Sequence, residues 1–479
     1  MYRSCQLLYT GISQAAYPTI FTMESRKQPL VIAMVMVFCL MTTSGQRCYS
    51  TELNPYRYFA AKTRYDDSIK EAEPTSNVQG GYSNQPRLFY LLIRHGSRFP
   101  SATDYNNMVK YLSELQGRIK NSSDSGNSSL CPEDLSNLLS WKQRIRQEDV
   151  DDLAQFGVRE MKEIARKYQN LFPDLLKAPY DKDKFLFQSS YMERNILSAK
   201  AFANGLFGNE EVEVSHNPKG QDSLLQFYKN CHKASQTRKN PMPERTKFIQ
   251  GHINQVTIPA IETFLGFAKG SLTFDHIDAM YKMCVFDHVV YDDSPWCAVF
   301  SRQNLVTMEY LEDLRNYYLE GPAYQINTDQ SCDLLKDVAK YLRMPSKESP
   351  GNYPAGVFRF THSPVINSFL AQLGVFDGQD ALRSSNMAEQ DQRKWRLSLK
   401  DPYSAHVALV VNERTDSKFE LLTFINERLS SSHDWDTVMS TVGETADSCD
   451  FNAVCENSGV NISRVNYLVI FAIILGCVI

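Results

Sequence analysis

Leu88-Phe89-Tyr90-Leu91-Leu92-Ile93-Arg94-His95-Gly96-Ser97-Arg98-Phe99-Pro100 is the stretch on which the reading of this chain turns. The apolar run Leu88 to Ile93 predicts a strand of an open α/β sheet, with a histidine between two arginines at its carboxyl end. In such sheets ligands bind in the crevice beyond the carboxyl ends of the strands. The strand therefore delivers His95, flanked by the arginines Arg94 and Arg98, to a crevice. Guanidiniums grip anionic oxygens in a fork geometry, and an imidazole between them can attack a bound phosphorus. These residues predict phosphoryl chemistry that needs neither a metal nor another cofactor.

Working outward, Val158, Met161, Ile164, Ala165 and Tyr168 mark one face of a helix that Pro173 stops. Phe185-Leu186-Phe187 predicts a short buried strand ending at Gln188-Ser189-Ser190, and the helix after it carries Arg194 in its first turn. Gly356 to His362 predicts another strand ending in a histidine, followed by a helix with Pro364 at its start and Gly374 at its end. Val407 to Val411 and Phe419 to Ile425 predict two strands joined by a polar turn. Strands alternating with helices imply a layered α/β sheet, with His95, Arg194 and His362 converging on one edge. The texture from Glu210 to Pro350 is helical and less regular, which reads as a cap inserted into the core. The core is thus expected over 46–209 and 351–445, and the cap over 210–350.

With 479 residues the chain can bury a large core, and a net charge of −4 gives no global positive field for nucleic acid. Anion affinity must be local, and small anionic phosphate esters are the expected partners. Arg26 and Lys27 before the apolar run Leu30 to Met41, with small residues up to Gly45, predict a signal peptide over 1–45. Initiation at Met23 rather than Met1 gives the more ordinary form of that signal. At the other end, over 446–479, Asn457-Ser458-Gly459, a polar spacer and the apolar tail Tyr467 to Ile479 predict a GPI-attachment signal, with Asn457 or Ser458 as the attachment site. A tail-anchored helix is the alternative. The anchor would hold the protein to the outer face of the cell membrane.

Of the 11 cysteines, Cys5, Cys39 and Cys477 fall in these end segments. The even set that is left, in a secreted chain, predicts disulfides, with Cys284–Cys297 and Cys449–Cys455 as the easiest local pairs. No CxxC or His-x-x-x-His spacing supports a zinc site. Glycosylation sequons at Asn121, Asn127 and Asn461 fit the same exterior compartment, and the Ser/Asn-rich tract Asn121 to Ser129 reads as an exposed loop.

The pattern RHGxRxP over Arg94 to Pro100 resembles branch 2 of the histidine phosphatase superfamily, which holds acid phosphatases, phytases and multiple inositol polyphosphate phosphatases. Tyr58-Phe59-Ala60-Ala61-Lys62-Thr63-Arg64-Tyr65, Ser189-Ser190 with Arg194 and Ser198-Ala199, Leu224 to Tyr228, and Ser294-Pro295-Trp296-Cys297 narrow the resemblance to the last group. It spans most of the chain between Cys48 and Arg428. The resemblance implies an α/β/α histidine-phosphatase core with an inserted, mainly helical cap. It implies that His95 is the nucleophile, forming a phosphohistidine later cleaved by water. By the same resemblance Arg94, Arg98, Arg194 and His362 hold the transferring phosphoryl group. The substrates it implies are inositol polyphosphates such as phytate, with 2,3-bisphosphoglycerate as a further candidate.

One departure stands out. Relatives carry an acid shortly after the second histidine, whereas this chain reads His362-Ser363-Pro364. An inositol alkoxide is a basic leaving group, and a general acid contributes about 10²–10⁴-fold to its departure. Pro364 has no proton to give. Gln226 likewise stands where a basic residue is expected. Three outcomes are open: an acid recruited from the cap, slow turnover, or a surface glycoprotein that binds phosphorylated ligands without hydrolysing them. A broad acid phosphatase is a further reading.

Overall fold

Along β1 (Gln85–Arg94) alternate side chains serve two different cores. Leu88, Tyr90 and Leu92 enter one apolar cluster, while Phe89, Leu91 and Ile93 enter another, and all six are fully buried. A strand with no wet face has no use for alternation, which is why the run reads as continuous. Each such side chain stabilises the fold by about 1.5–3 kcal/mol on burial. The computed structural model describes residues 48, 54–71, 85–345 and 353–456. The signal-peptide, Asn461, GPI-attachment and tail expectations lie outside those residues.

The remaining strands are β2 (Phe185–Ser189), β3 (Val214–His216), β4 (Gly356–Thr361), β5 (His406–Glu413), β6 (Phe419–Ile425) and β7 (Arg428–Asp434). They form one sheet in the order β3-β2-β4-β1-β5-β6-β7. β1, β2, β3 and β4 are mutually parallel where they pair, and β5, β6 and β7 continue the sheet antiparallel. Ile93 pairs with Phe360 and Ser189 also pairs with Phe360, so β1, β4 and β2 end at the same level. That shared edge carries His95, His362 and Ser190 side by side.

Helices α1 (Ala102–Asp124), α2 (Gln155–Leu171), α3 (Glu193–Phe207), α4 (Phe274–Tyr291), α5 (Arg302–Leu319), α6 (Cys332–Leu342) and α7 (Ser363–Gln372) build the layers. One sheet face packs Met161, Ile164 and Tyr168 of α2 with Phe202 of α3, and Phe358 and Phe360 of β4. The other packs α6 and α7 and is continuous with the apolar interior of the helical half. The helical half also draws on α1, whose Met108, Leu112, Leu115 and Ile119 share that cluster with Ile277 and Met280 of α4. The outer strand β3 lies beyond Glu210, where the sequence placed the start of the cap.

Two sequence expectations are corrected. The Asn121 tract is helical as far as Asp124, because the buried stripe of α1 runs to Ile119 and Ser122 Oγ donates to Leu265 O at 2.6 Å. Asn121 and Asn127 are nonetheless exposed. The Cys449–Cys455 pairing is wrong: the disulfides are Cys48–Cys131, Cys231–Cys455, Cys284–Cys297 and Cys332–Cys449. The short helix Phe451–Cys455 intervenes, and Cys455 packs with Cys231, Ala234 and Phe451 in a small apolar cluster.

Candidate active site

His95 leaves the end of β1 with its backbone still tied to β4, through an N–H donated to Thr361 O at 3.0 Å. The loop behind it is fixed by groups from three distant segments. Gly96 N–H donates to Ser198 Oγ of α3 at 3.2 Å. Ser97 gives its N–H and its hydroxyl to the Glu160 carboxylate of α2 at 2.9 and 2.7 Å, and Ser404 Oγ donates to the same carboxylate at 2.7 Å. Glu160 is buried, and burial raises its pKa against the pull of these donors. The loop also presses on α2: a Cβ at Gly96 would lie 2.6 Å from Gly157, and one at Gly157 would lie 2.3 Å from Ser97 O. Both glycines serve this backbone approach.

The His95 ring is oriented by its own neighbour. Nδ1 lies 2.9 Å from Gly96 O, and a carbonyl can only accept, so the ring proton sits on Nδ1 and Nε2 keeps its lone pair. Burial, then Arg194, Arg94, His362 and Arg98, hold the His95 pKa well below its ordinary 6.5. The ring is therefore a neutral base. Its centroid is 5.6 Å from that of His362, in an edge-to-face arrangement.

The cations named from sequence all belong to this neighbourhood. Arg94 is buried, with one terminal nitrogen bound to Ala61 O and Asp401 O at 2.7 Å each, and its guanidinium stacks over Tyr403 at 4.7 Å. Arg98 lies 3.2 Å and Arg194 3.7 Å from the same Asp151 oxygen, so one carboxylate spaces the two guanidiniums. Among the described residues the buried Nε atoms of Arg94, Arg98 and Arg194 have no hydrogen-bond partner. Arg194, Arg94 and Arg98 all act electrostatically on His95, which places three cations around its ring.

His362 ends β4 and caps α7, where Pro364 occupies the first turn and loses no helical hydrogen bond. Its Nε2 lies 3.0 Å from both Ser190 Oγ and Gln226 Nε2. Burial and Arg194, then Lys229, Arg94 and Arg98, hold its pKa well below 6.5. Gln226, at a position where a basic residue was expected, is thus a buried partner of this ring. Lys229 is the nearby exposed cation, within cation–π reach of Tyr191 and Tyr228.

Sequence reasoning missed Glu160, Asp151, Lys229 and Asp401, and quoted Ser190 without giving it a role. For Glu160 there was a usable signal: it falls on the buried stripe of α2 with Gly157, Met161 and Ile164, where a carboxylate needs a polar partner.

The model of the histidine phosphatase superfamily (branch 2) matches residues 88–423. The chain belongs to that superfamily. It is accordingly a phosphoric monoester hydrolase. It is 30% identical over 404 residues to multiple inositol polyphosphate phosphatase 1 of Drosophila melanogaster, covering 82% of this chain and 84% of the relative. With the protein of that name from Gallus gallus it shares 26% identity over 435 residues, covering 84% and 93% of the two chains. Among solved structures this histidine phosphatase is similar in fold to the phytase from D. castellii, with a TM-score of 0.58 and 15% identity over 80% of this chain and 85% of that one. It is equally similar to the Bifidobacterium longum multiple inositol polyphosphate phosphatase in complex with inositol hexasulfate (TM-score 0.58, 14% identity, 81% and 97% coverage).

Proposed function

We propose that this histidine phosphatase hydrolyses inositol polyphosphates, phytate among them, through a phosphohistidine on His95. The observation that carries the reading is the neutral His95 ring, with Nε2 unprotonated, among the charges of Arg194, Arg94 and Arg98. In the first step Nε2 attacks phosphorus and the inositol oxygen departs. In the second, water cleaves the phosphohistidine. Dividing the hydrolysis this way replaces one high barrier by two lower ones. Charge on the three transferring oxygens is met by Arg94, Arg98 and Arg194 in positions fixed beforehand, which is where such sites gain most of their rate. His362 would donate to the same oxygens. The names of the Drosophila, chicken and B. longum relatives support the inositol polyphosphate class.

Phosphate release from phytate by the purified protein, compared with His95→Ala, tests the proposal. Equal release from both would overturn it. Pro364 favours one competing reading, a glycoprotein that binds such anions without turnover, and the same assay decides between them. A panel including 4-nitrophenyl phosphate and 2,3-bisphosphoglycerate separates a phytase-like enzyme from a broad acid phosphatase.

We further propose an extracellular, lipid-anchored location. Its support is the Asn457-Ser458-Gly459 signal with its apolar tail, together with four disulfides, which persist in oxidising compartments. Phosphatidylinositol-specific phospholipase should release the protein from cells, and retention would favour a spanning tail.

A further inference from the structure

The missing proton donor at Pro364 directs attention to what surrounds the residue before it. Ser363 Oγ contacts Asp401 Oδ2 and also lies 3.2 Å from Glu320 Oε2. Asn367 Nδ2, one turn along α7, reaches Asp401 Oδ2 at 3.0 Å, Ser363 Oγ at 3.2 Å and Glu320 Oε2 at 3.5 Å. A serine hydroxyl has one hydrogen to donate. Were both carboxyls ionised, one would face a lone pair of Ser363 with nothing between them. The cluster closes when it holds one additional proton, shared across the serine.

Its two ends differ. Asp401 is fully buried and its other oxygen lies 3.4 Å from Arg94. Burial pushes its carboxyl up to about 7 against the pull of Arg94, which keeps a proton in the cluster near neutrality. Glu320 follows the last residue of α5 in the helical half and is only partly buried. Burial, and after it Glu320, push the Tyr228 phenol up, and the Tyr228 ring stands 6.2 Å edge-on from that of His362. Glu320 thus meets the residue that follows His362, from a partly exposed position, whereas Asp401 has no exposed surface.

We propose that Glu320 is the general acid of this enzyme, supplied with its proton by Asp401 through Ser363. The proposal rests on the phosphohistidine reading above. As the P–O bond breaks, its electron pair stays on the inositol oxygen, which takes the proton from Glu320. Ser363 passes its own proton to Glu320 and receives that of Asp401. The cluster is then one proton short. It recovers that proton from the water that cleaves the phosphohistidine, whose hydroxide ends on phosphorus.

The test compares kcat/KM for phytate and for 4-nitrophenyl phosphate, whose leaving group departs without help. This parameter covers only the steps through the first phosphoryl transfer. Glu320→Gln should lower the phytate value by about 100-fold more than the aryl value, in line with the range for a lost general acid. The double variant Glu320→Gln with Pro364→Glu should recover most of that loss. Equal losses on the two esters, or no loss on phytate, would overturn the assignment. Should wild type and His95→Ala hydrolyse both esters alike, the phosphohistidine reading itself fails, and the assignment with it.

Discussion

The loop carrying His95 and the segment carrying His362 leave neighbouring parallel strands at one sheet edge, yet they are held in different ways. The His95 loop is pinned by the buried Glu160 carboxylate, by Ser198 and by the contact of Gly96 with Gly157. None of these supports has a chemical task in the reaction. Around His362 the supports are themselves reactive or exchangeable: Ser190, Gln226, and next to it Ser363 between two carboxyls. A nucleophile must sit within a fraction of an ångström of its target, whereas a proton can arrive from any group within hydrogen-bond reach. The first wall is therefore specified by one contiguous motif, and the second tolerates reconstruction.

The largest effect expected is on the first wall. His95→Ala should lower phosphate release from phytate by at least about 10⁴-fold, because removal of a covalent nucleophile leaves only binding and charge stabilisation. Next, Arg194→Ala removes one preplaced donor and should cost about 10²–10³ in kcat, measured with saturating phytate. Glu160→Ala leaves three buried donors of Ser97 and Ser404 without an acceptor. It should destabilise the fold by about 3 kcal/mol in urea unfolding and lower activity with it; an unchanged midpoint would show that this wall does not depend on its buried carboxylate.

The same wall should be sensitive to acid. His406 begins β5, pairs with Ile93, and donates Nδ1–H to Ser404 O at 2.8 Å, while its buried Nε2 has no partner among the described residues. Burial lowers its pKa from 6.5 to about 4. Between those values the unfolded chain binds the additional proton and the folded chain does not, so this contribution is present above pH 6.5 and lost as pH falls towards 4. At roughly 1.4 kcal/mol per pKa unit it amounts to about 3 kcal/mol. His406→Asn should make stability fall less steeply between those pH values, as read from thermal unfolding. The smallest effect belongs to the second wall: Pro364→Glu alone should change phytate turnover by less than about threefold while Glu320 supplies the proton. A gain of about 10²-fold would mean that the wild type lacks an effective acid.

How much of this was legible follows the same division. Leu88 to Pro100 could be read because strand, turn and motif are contiguous, and its burial on both faces erases any helical period. Arg194 and His362 stood out through the surrounding motif, since a single arginine on a helix or histidine after a strand is ordinary. Asp401 and Glu320 carry no local mark, for their meaning lies in contacts with Ser363 across 38 and 43 residues. The cysteines failed for a related reason. Cys449 and Cys455 are close in sequence, yet each bonds a partner in the helical half, 117 and 224 residues away. In α1 the polar composition of the Asn121 tract concealed a last helical turn that carries on past the buried stripe ending at Ile119.

The position of β4 between β1 and β2 has a consequence for how the enzyme comes into being. Emerging from the ribosome, the first two parallel strands have no common neighbour until Gly356–Thr361 follows them, so each presents an open edge until then. The two imidazoles meet only when that last parallel strand slides into the gap. Catalytic competence is thus a late event, and a chain truncated before it would have a nucleophile without a pocket.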